Sequence, residues 1–148
     1  MPAGVVVLGG GVGGTLAANL LAKQLGRDVH VTVVDPTGMH VYQPGFLYAA
    51  LGKANGRWLA RDERTLLRRD VELAVEAATL VEPDKGLVRL THGGSLPYDY
   101  LLLATGARLV PGEIPGLVAG AHEFYSLEGR CGCGRRCAAL AVAGSWSA

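Results

Sequence analysis

The sequence has few cysteines, almost no net charge and no long hydrophobic run, and each of these absences excludes a class of protein. Its three cysteines all lie within residues 131–137, which is not the pattern of a secreted disulfide framework. A formal net charge of +1 gives no bulk field for nucleic acid, which is therefore not expected as a partner. No apolar run reaches the roughly 18 residues of a spanning helix, and the start lacks the pattern of a signal peptide. We therefore expect a cytoplasmic protein without a transmembrane segment, with attachment to the inner face of the membrane as the alternative.

Glycine and apolar residues are plentiful instead, with 22 glycines in 148 residues and 49% hydrophobic residues, enough for the core of one domain. Residues 5–8 (VVVL) predict a buried parallel strand. Residues 15–25 (TLAANLLAKQL) carry leucines at i, i+4 spacing, which predicts an amphipathic helix that ends at Gly26. Residues 28–35 (DVHVTVVD) predict a second strand that ends in Asp35.

Between the first strand and the helix, Gly9, Gly11 and Gly14 fit the pattern G-x-G-x-x-G. Gly9 permits the tight turn, Gly11 allows a pyrophosphate to approach the backbone, and Gly14, helped by the small Ala18, allows close packing of helix on sheet. The helix N-terminus offers free N–H groups to an anion. Asp35 is placed to accept both hydroxyls of an adenosine ribose and to repel a 2′-phosphate. The pattern therefore favours a dinucleotide site over a glycine-rich connector, without separating FAD from NAD.

A second segment, YDYLLLATGARLVP at residues 98–111, predicts an apolar strand that ends in Ala104-Thr105-Gly106. With this segment, residues 4–128 resemble the N-terminal FAD-binding part of flavoproteins with two dinucleotide-binding domains, which are similar to glutathione reductase in fold. The resemblance implies FAD as the cofactor, with NAD as the alternative, and it leaves the catalytic residues unknown. The residues implied in cofactor binding are Gly9, Gly11, Gly13, Gly14, Asp35, Pro44, Ala78, Thr105 and Gly106.

Residues 39–53, MHVYQPGFLYAALGK, are similar to a segment of sulfide:quinone oxidoreductases and type II NADH dehydrogenases. The resemblance implies that Pro44 lies near the flavin, with Tyr42 or Gln43 facing it, and that quinone or NADH serves a complete protein of this kind. His40 is expected to be structural or exposed rather than a catalytic base. The chain has no cysteine before residue 131, which excludes the cysteine pair of disulfide reductases. Residues 119–129 lack the first sulfur-carrying cysteine of sulfide:quinone oxidoreductases, which argues against sulfide oxidation.

The expected fold class is therefore α/β, a Rossmann-like FAD/NAD(P)-binding domain over residues 1–128. It has a parallel sheet and a small β-hairpin or meander insertion. Residues 56–70 (GRWLARDERTLLRRD) are interpreted as a crossover helix. The stretches on either side of the turn at Gly93-Gly94 predict the short strands of the insertion.

The tail, residues 129–148, differs in composition, because it has no acidic residue and contains all three cysteines. Their spacing matches no strong zinc pattern, so no metal site is expected. Codon arithmetic favours a shifted reading frame over a genuine, flexible tail. On that hypothesis the chain is a truncated and inactive FAD-binding part, with exposed faces that promote homo-oligomers. The alternative is a stand-alone NAD-binding or sensing module without redox chemistry.

Overall fold

A computed structural model of the chain describes residues 1–51, 53, 56–121 and 125. Contacts divide the chain into two units, and the first consists of Met1–His40 and Arg61–Gly106. The second consists of Val41–Ala60 and Ala107–Ala148. The tail, residues 129–148, lies outside the described residues, and with it all three cysteines and the segment for which a shifted reading frame was predicted.

The helices and strands follow one another along the chain in a mixed α/β order. They are β1 (Ala3–Leu8), α1 (Val12–Leu25), β2 (Val29–Val34), β3 (Met39–Val41), α2 (Phe46–Ala50), β4 (Ala60–Asp62), β5 (Val71–Ala74), β6 (Ala78–Glu82), β7 (Leu87–Leu90), β8 (Ser95–Pro97), β9 (Tyr100–Leu103) and α3 (Leu117–Gly120).

The first unit is built on a parallel sheet with the strand order β5-β2-β1-β9. β1 lies in the centre, with Val5 opposite Val31 of β2 on one side and Tyr100 of β9 on the other. The last four residues of β1 are all buried, as expected of a strand covered on both faces. Because the strands are parallel, the segments that follow β1, β2, β5 and β9 meet at one edge of the sheet.

Helix α1 covers one face of this sheet, with its small side chains inward. Ala18 and Ala22 are buried against valines of β1 and β2, which confirms the packing role predicted for Ala18. Of the leucines from which an amphipathic helix was predicted, Leu21 packs against this cluster, whereas Leu16 is 57% exposed and Leu20 is 43% exposed. Small residues on the inner face let the helix axis approach the sheet closely, Leu21 packs at the edge of this cluster, and Leu16 and Leu20 project away from it.

The other face of the parallel sheet is covered by the antiparallel sheet β6-β7-β8. Val88 and Leu90 of β7 join Val6, Leu8 and Val34 of the parallel sheet in a second buried cluster. The tight turn between β7 and β8 contains Gly93, at φ +86°, as the hairpin prediction requires. The expected meander insertion is therefore present.

The crossover helix predicted for residues 56–70 is absent, and this prediction was wrong. The segment forms a 3-10 turn at Gly56–Leu59, strand β4, and a second 3-10 turn at Glu63–Thr65. Strand β4 pairs with β3 in a two-stranded sheet. The carboxylate of Asp62 accepts a hydrogen bond from the Arg64 amide at 2.8 Å, a local bond that favours a turn over a helix interior.

The second unit contains the segment for which flavin contact was predicted. The amide of Tyr42 donates to the carbonyl of Leu59 at 2.7 Å. Pro44 lies in the 3-10 turn Gln43–Gly45, directly before α2. A Cβ added to Gly45 would lie 2.3 Å from a methyl carbon of Leu59, so the turn and this leucine pack closely.

Candidate nucleotide-binding site

The glycine turn after β1 is held by contacts between backbone segments. Gly9 has a φ of +104°, and a Cβ at that position would lie 2.3 Å from the carbonyl oxygen of Ala104. A Cβ on Gly14 would lie 1.9 Å from the carbonyl oxygen of Gly9. Both distances are far below van der Waals contact, so only glycine fits at these two positions. The glycine loop after β1 therefore packs directly against the start of α1 and against Ala104 at the end of β9. Only the hydrogen atoms of the two glycines fit in these contacts.

Gly11 and Gly13 have the opposite environment, because a Cβ at either residue would meet no atom within 4 Å. Gly11 is the N-cap of α1 and has ordinary extended backbone, with φ −75° and ψ −174°. The start of α1 has no side-chain cap and no acidic residue in its first turn. A helix N-terminus of this kind presents N–H donors and a partial positive charge, which suit an anion.

Asp35, at the end of β2, is engaged by four hydrogen bonds. Its Oδ1 accepts from the Thr37 amide at 2.8 Å, the Thr37 hydroxyl at 2.8 Å and the Gly38 amide at 2.9 Å. Its Oδ2 accepts from the Gly10 amide at 3.0 Å, which ties the end of β2 to the glycine turn. Oδ1 is saturated, and Oδ2 has one lone pair left. A ribose contact of Asp35 stays a prediction, and Oδ2 is the less occupied of its two carboxylate oxygens.

The same hydrogen bonds govern the charge of Asp35. Partial burial raises the pKa of this carboxyl group, but the bonds from Gly10, Thr37 and Gly38 outweigh burial and leave the pKa below its ordinary value. Asp35 is therefore ionised at neutral pH.

A buried carboxylate lies next to the glycine turn and was missed in the sequence. Glu63 has no exposed surface, and its Oε1 accepts from the Thr15 hydroxyl at 2.5 Å. Its Oε2 lies 3.1 Å from Nδ1 of His40. The same Nδ1 lies 3.1 Å from the carbonyl oxygen of Gly10. His40 is thus an integral part of the turn, in line with the structural role expected for it.

The ATG segment follows β9 at the same edge of the sheet. The Ala104 amide donates to the carbonyl of Leu8 at 2.8 Å, which extends the pairing of β9 with β1 by one residue. Thr105 lies against Gly9, with its Cα 3.2 Å from the position of an added Cβ. Gly106 has a φ of +71° and turns the chain away from the strand.

The structure thus brings the glycines, Asp35, Thr105 and Gly106 to one edge of the sheet. Ala78 begins β6, where it pairs with Leu90, and no hydrogen bond of the described residues links it to the glycine turn. Pro44 belongs to the second unit. The partners Gly10 and Thr37 adjoin predicted residues, whereas Glu63 had no local signal, since its contacts are 23 and 48 residues away.

The described residues also bear on two other kinds of site. No group of three or more histidine, cysteine or acidic residues in this part of the chain is placed to hold a metal ion. No helix within the described ranges has both the length and the apolar character needed to span a membrane.

A parallel sheet with a glycine-rich turn at the start of its first helix, and an acidic residue after its second strand, defines a Rossmann-like α/β fold. Residues 3–137 match the family model of the pyridine nucleotide-disulphide oxidoreductases, and the chain belongs to that family.

The relatives include quinone oxidoreductases. The chain is 34% identical over 109 residues to a sulfide-quinone reductase of Aquifex aeolicus, covering 73% of this chain and 25% of the relative. It is 30% identical over 114 residues to the type II NADH:quinone oxidoreductase NdhA of Mycobacterium tuberculosis, covering 70% of this chain and 23% of the relative.

The structure of sulfide:quinone oxidoreductase from Aquifex aeolicus matches with a TM-score of 0.81 and 26% identity, over 95% of this chain and 32% of that structure. The match confirms the Rossmann-like fold class. The chain spans about a quarter of the length of the curated relatives it matches.

Proposed function

We propose that this chain binds FAD through its adenosine diphosphate half, as the FAD-binding part of a quinone-type or pyridine-nucleotide flavoprotein oxidoreductase. The observation that carries the proposal is the contrast between neighbouring glycines. A Cβ on Gly9 or Gly14 would collide with backbone atoms, whereas Gly11 and Gly13 face open space at a helix N-terminus. In this proposal a pyrophosphate occupies the open space beside Gly11 and Gly13, which a Cβ on Gly11 would enter.

Each predicted residue has a defined task in this proposal. Gly11 and Gly13 admit the pyrophosphate to the backbone amides, while Gly9 and Gly14 fix the turn. Asp35, ionised and with one lone pair free on Oδ2, accepts a ribose hydroxyl and disfavours a 2′-phosphate.

Thr105 and Gly106 lie beside the turn and meet the nucleotide. The ATG segment to which they belong resembles the segment that meets the flavin nucleotide in FAD-binding flavoproteins, and this resemblance supports FAD over NAD. Pro44 and Ala78 are assigned to the flavin and the adenine by the resemblance alone.

A bound flavin supplies the redox chemistry of such a protein, whereas the chain binds and orients it. The names of the relatives, sulfide:quinone oxidoreductase and type II NADH:quinone oxidoreductase, support quinone and NADH as partners of a complete protein. Since the chain spans about a quarter of those relatives, we infer that it does not turn over substrates alone. Its cytoplasmic or membrane-peripheral location is likewise part of the proposal.

Exposed apolar surface supports association of the isolated chain with itself. On the edge strand β9, Tyr100 is 66% exposed and Leu103 is 65% exposed. Within the described part of the chain, β9 pairs with β1 alone. An unpaired edge with apolar side chains is a template for further pairing.

The test is a titration of the purified full chain with FAD and, separately, with NAD, followed by flavin fluorescence and calorimetry. We expect saturable binding of FAD, weaker binding of NAD, and a loss of about tenfold or more in affinity in Gly11→Ala. Tight binding of NAD with none of FAD would favour the stand-alone NAD module. Absence of binding to either dinucleotide would refute the proposal.

A further inference from the structure

We propose that Glu63 is a positioning residue of the dinucleotide site, which holds the Gly10–Gly11 peptide through its side chain and the loop after Asp35 through its amide. The inference rests on the proposed function, since it concerns the same site. It gives a task to a fully buried side chain for which neither the glycine motif nor the resemblance provides one.

The side chain of Glu63 contacts the two side chains that lie against the Gly10 carbonyl oxygen. Its Oε1 lies 2.5 Å from the Thr15 hydroxyl, and its Oε2 lies 3.1 Å from Nδ1 of His40. The Gly10 carbonyl oxygen lies 3.1 Å from that hydroxyl and 3.1 Å from that nitrogen. The hydroxyl and the nitrogen are themselves 3.3 Å apart. Whichever of these atoms carry the hydrogens, Glu63 fixes where Thr15 and His40 stand against Gly10.

The direction of the Gly10 carbonyl sets the direction of the next amide. The described chain has no cis peptide bond, so the N–H of Gly11 points opposite to the Gly10 C=O. Gly11 is exposed, and it is the N-cap of α1. Its N–H is therefore directed away from the buried cluster, as a donor to an anion must be.

The main chain of Glu63 reaches the other half of the proposed site. Its amide donates to the Gly38 carbonyl at 2.9 Å, and the Gly38 amide donates to Oδ1 of Asp35 at 2.9 Å. Oδ2 of Asp35 accepts from the Gly10 amide at 3.0 Å. The contacts thus form a closed ring, which returns from Gly10 to Glu63 through the side-chain cluster. Displacement of Glu63 should therefore disturb the anion cradle and the proposed ribose acceptor together.

The experiment is calorimetric binding of FAD and of ADP-ribose to the full chain and its variants, at a temperature at which circular dichroism shows each of them folded. Glu63→Ala removes both side-chain contacts. We expect it to weaken the binding of both ligands on the order of tenfold, the equivalent of one lost hydrogen bond. Glu63→Gln keeps the length of the side chain and two polar atoms at its end, so it should restore most of the lost affinity.

Asn19 offers a matched control, because it fastens the same segment to α1 one helical turn further from the glycines. Its side-chain amide donates to the Leu66 carbonyl at 2.9 Å, and its Oδ1 accepts from the Arg68 amide at 2.8 Å. Asn19→Ala loosens the segment that carries Glu63 and leaves the side chains at Gly10 intact. It should lower the unfolding temperature and leave the FAD affinity of the folded chain unchanged.

A second readout needs no ligand. Hydrogen exchange of the Gly10 amide, followed by NMR in the ligand-free chain, should be faster in Glu63→Ala than in the parent, because this amide is bonded within the ring. In Asn19→Ala it should be unchanged. If Glu63→Ala does not fold, Thr15→Val removes the hydroxyl of the same cluster at nearly constant volume, and it should show both the weaker binding and the faster exchange.

The outcomes separate the two proposals. Unchanged FAD affinity in Glu63→Ala, or an equal loss of affinity in Asn19→Ala, would overturn the positioning role and leave the proposed function standing. Equal losses in Glu63→Ala and Glu63→Gln would also overturn it. Failure of the parent chain to bind FAD or ADP-ribose would refute the proposed function, and the positioning role with it.

Discussion

The glycines of the G-x-G-x-x-G motif differ in their surroundings. Gly14 packs against backbone, whereas Gly11 and Gly13 have no atom within 4 Å of an added Cβ, so alanine substitutions should affect stability differently. In Gly14→Ala the new Cβ lies 1.9 Å from the Gly9 carbonyl oxygen, a backbone atom that no side-chain rotation can move. Overpacking of this kind costs about 1–3 kcal/mol or more. Replacing glycine in a helix returns roughly 1 kcal/mol. Because a contact of 1.9 Å lies at the upper end of that cost, about 3 kcal/mol, we expect a net loss of about 2 kcal/mol, which lowers the Tm by roughly 4–8 °C in a chain of this size.

The assay is thermal and urea unfolding of the ligand-free chain, followed by circular dichroism. Gly13→Ala is the matched control, because it lies in the same helical turn with nothing within 4 Å of its Cβ. It should be as stable as the parent chain or gain up to about 1 kcal/mol. Gly11→Ala should leave stability within about 0.5 kcal/mol, as expected of an exposed site, while weakening FAD binding. If Gly14→Ala and Gly13→Ala unfold at the same temperature, the close packing of α1 on the turn is refuted.

Two further predictions concern stability. In the parent chain, Asp35 has a lowered pKa, so its stabilising hydrogen bonds are complete above about pH 4 and are lost as the pH falls below that value. Asp35→Asn should lower the free energy of unfolding by about 1 kcal/mol at pH 7, and the urea unfolding curves of the two proteins should converge in acid; a constant difference down to pH 2 would contradict this. Ala18→Leu should destabilise the chain by about 1–3 kcal/mol, because Ala18 is fully buried, whereas Leu20→Ala should change the midpoint little. Equal effects of the last two would show that α1 packs through its leucines instead.

The parallel sheet and its glycine turn could be predicted because their signals are local. A valine run, a glycine spacing and an acid at a strand end all lie within 35 residues of sequence. The orientation of α1 could not be read in the same way, since leucine spacing shows that a helix has an apolar face without showing which face packs. In this helix the face that packs on the sheet is the one with Gly14 and Ala18, because these small residues allow a close approach.

The crossover helix predicted for the segment around Glu63 was wrong for a different reason. Charged and apolar residues alternate there at spacings that fit a helix, and the competing bond from Asp62 to the Arg64 amide is a detail of turn geometry. The burial of Glu63 depends on Thr15 and His40, which are brought together only by the completed fold. A buried carboxylate among surface-type residues leaves no periodic trace in the sequence.

The contact of Gly9 with Ala104 and Gly14 has a practical consequence for redesign. The floor of the cradle is made of main-chain atoms from three segments, so its dimensions do not vary with rotamers. On the proposed function, substitutions of the Thr105 side chain would alter ligand contacts without changing these main-chain dimensions. Conversely, no repacking of neighbouring side chains will rescue a bulkier residue at either glycine.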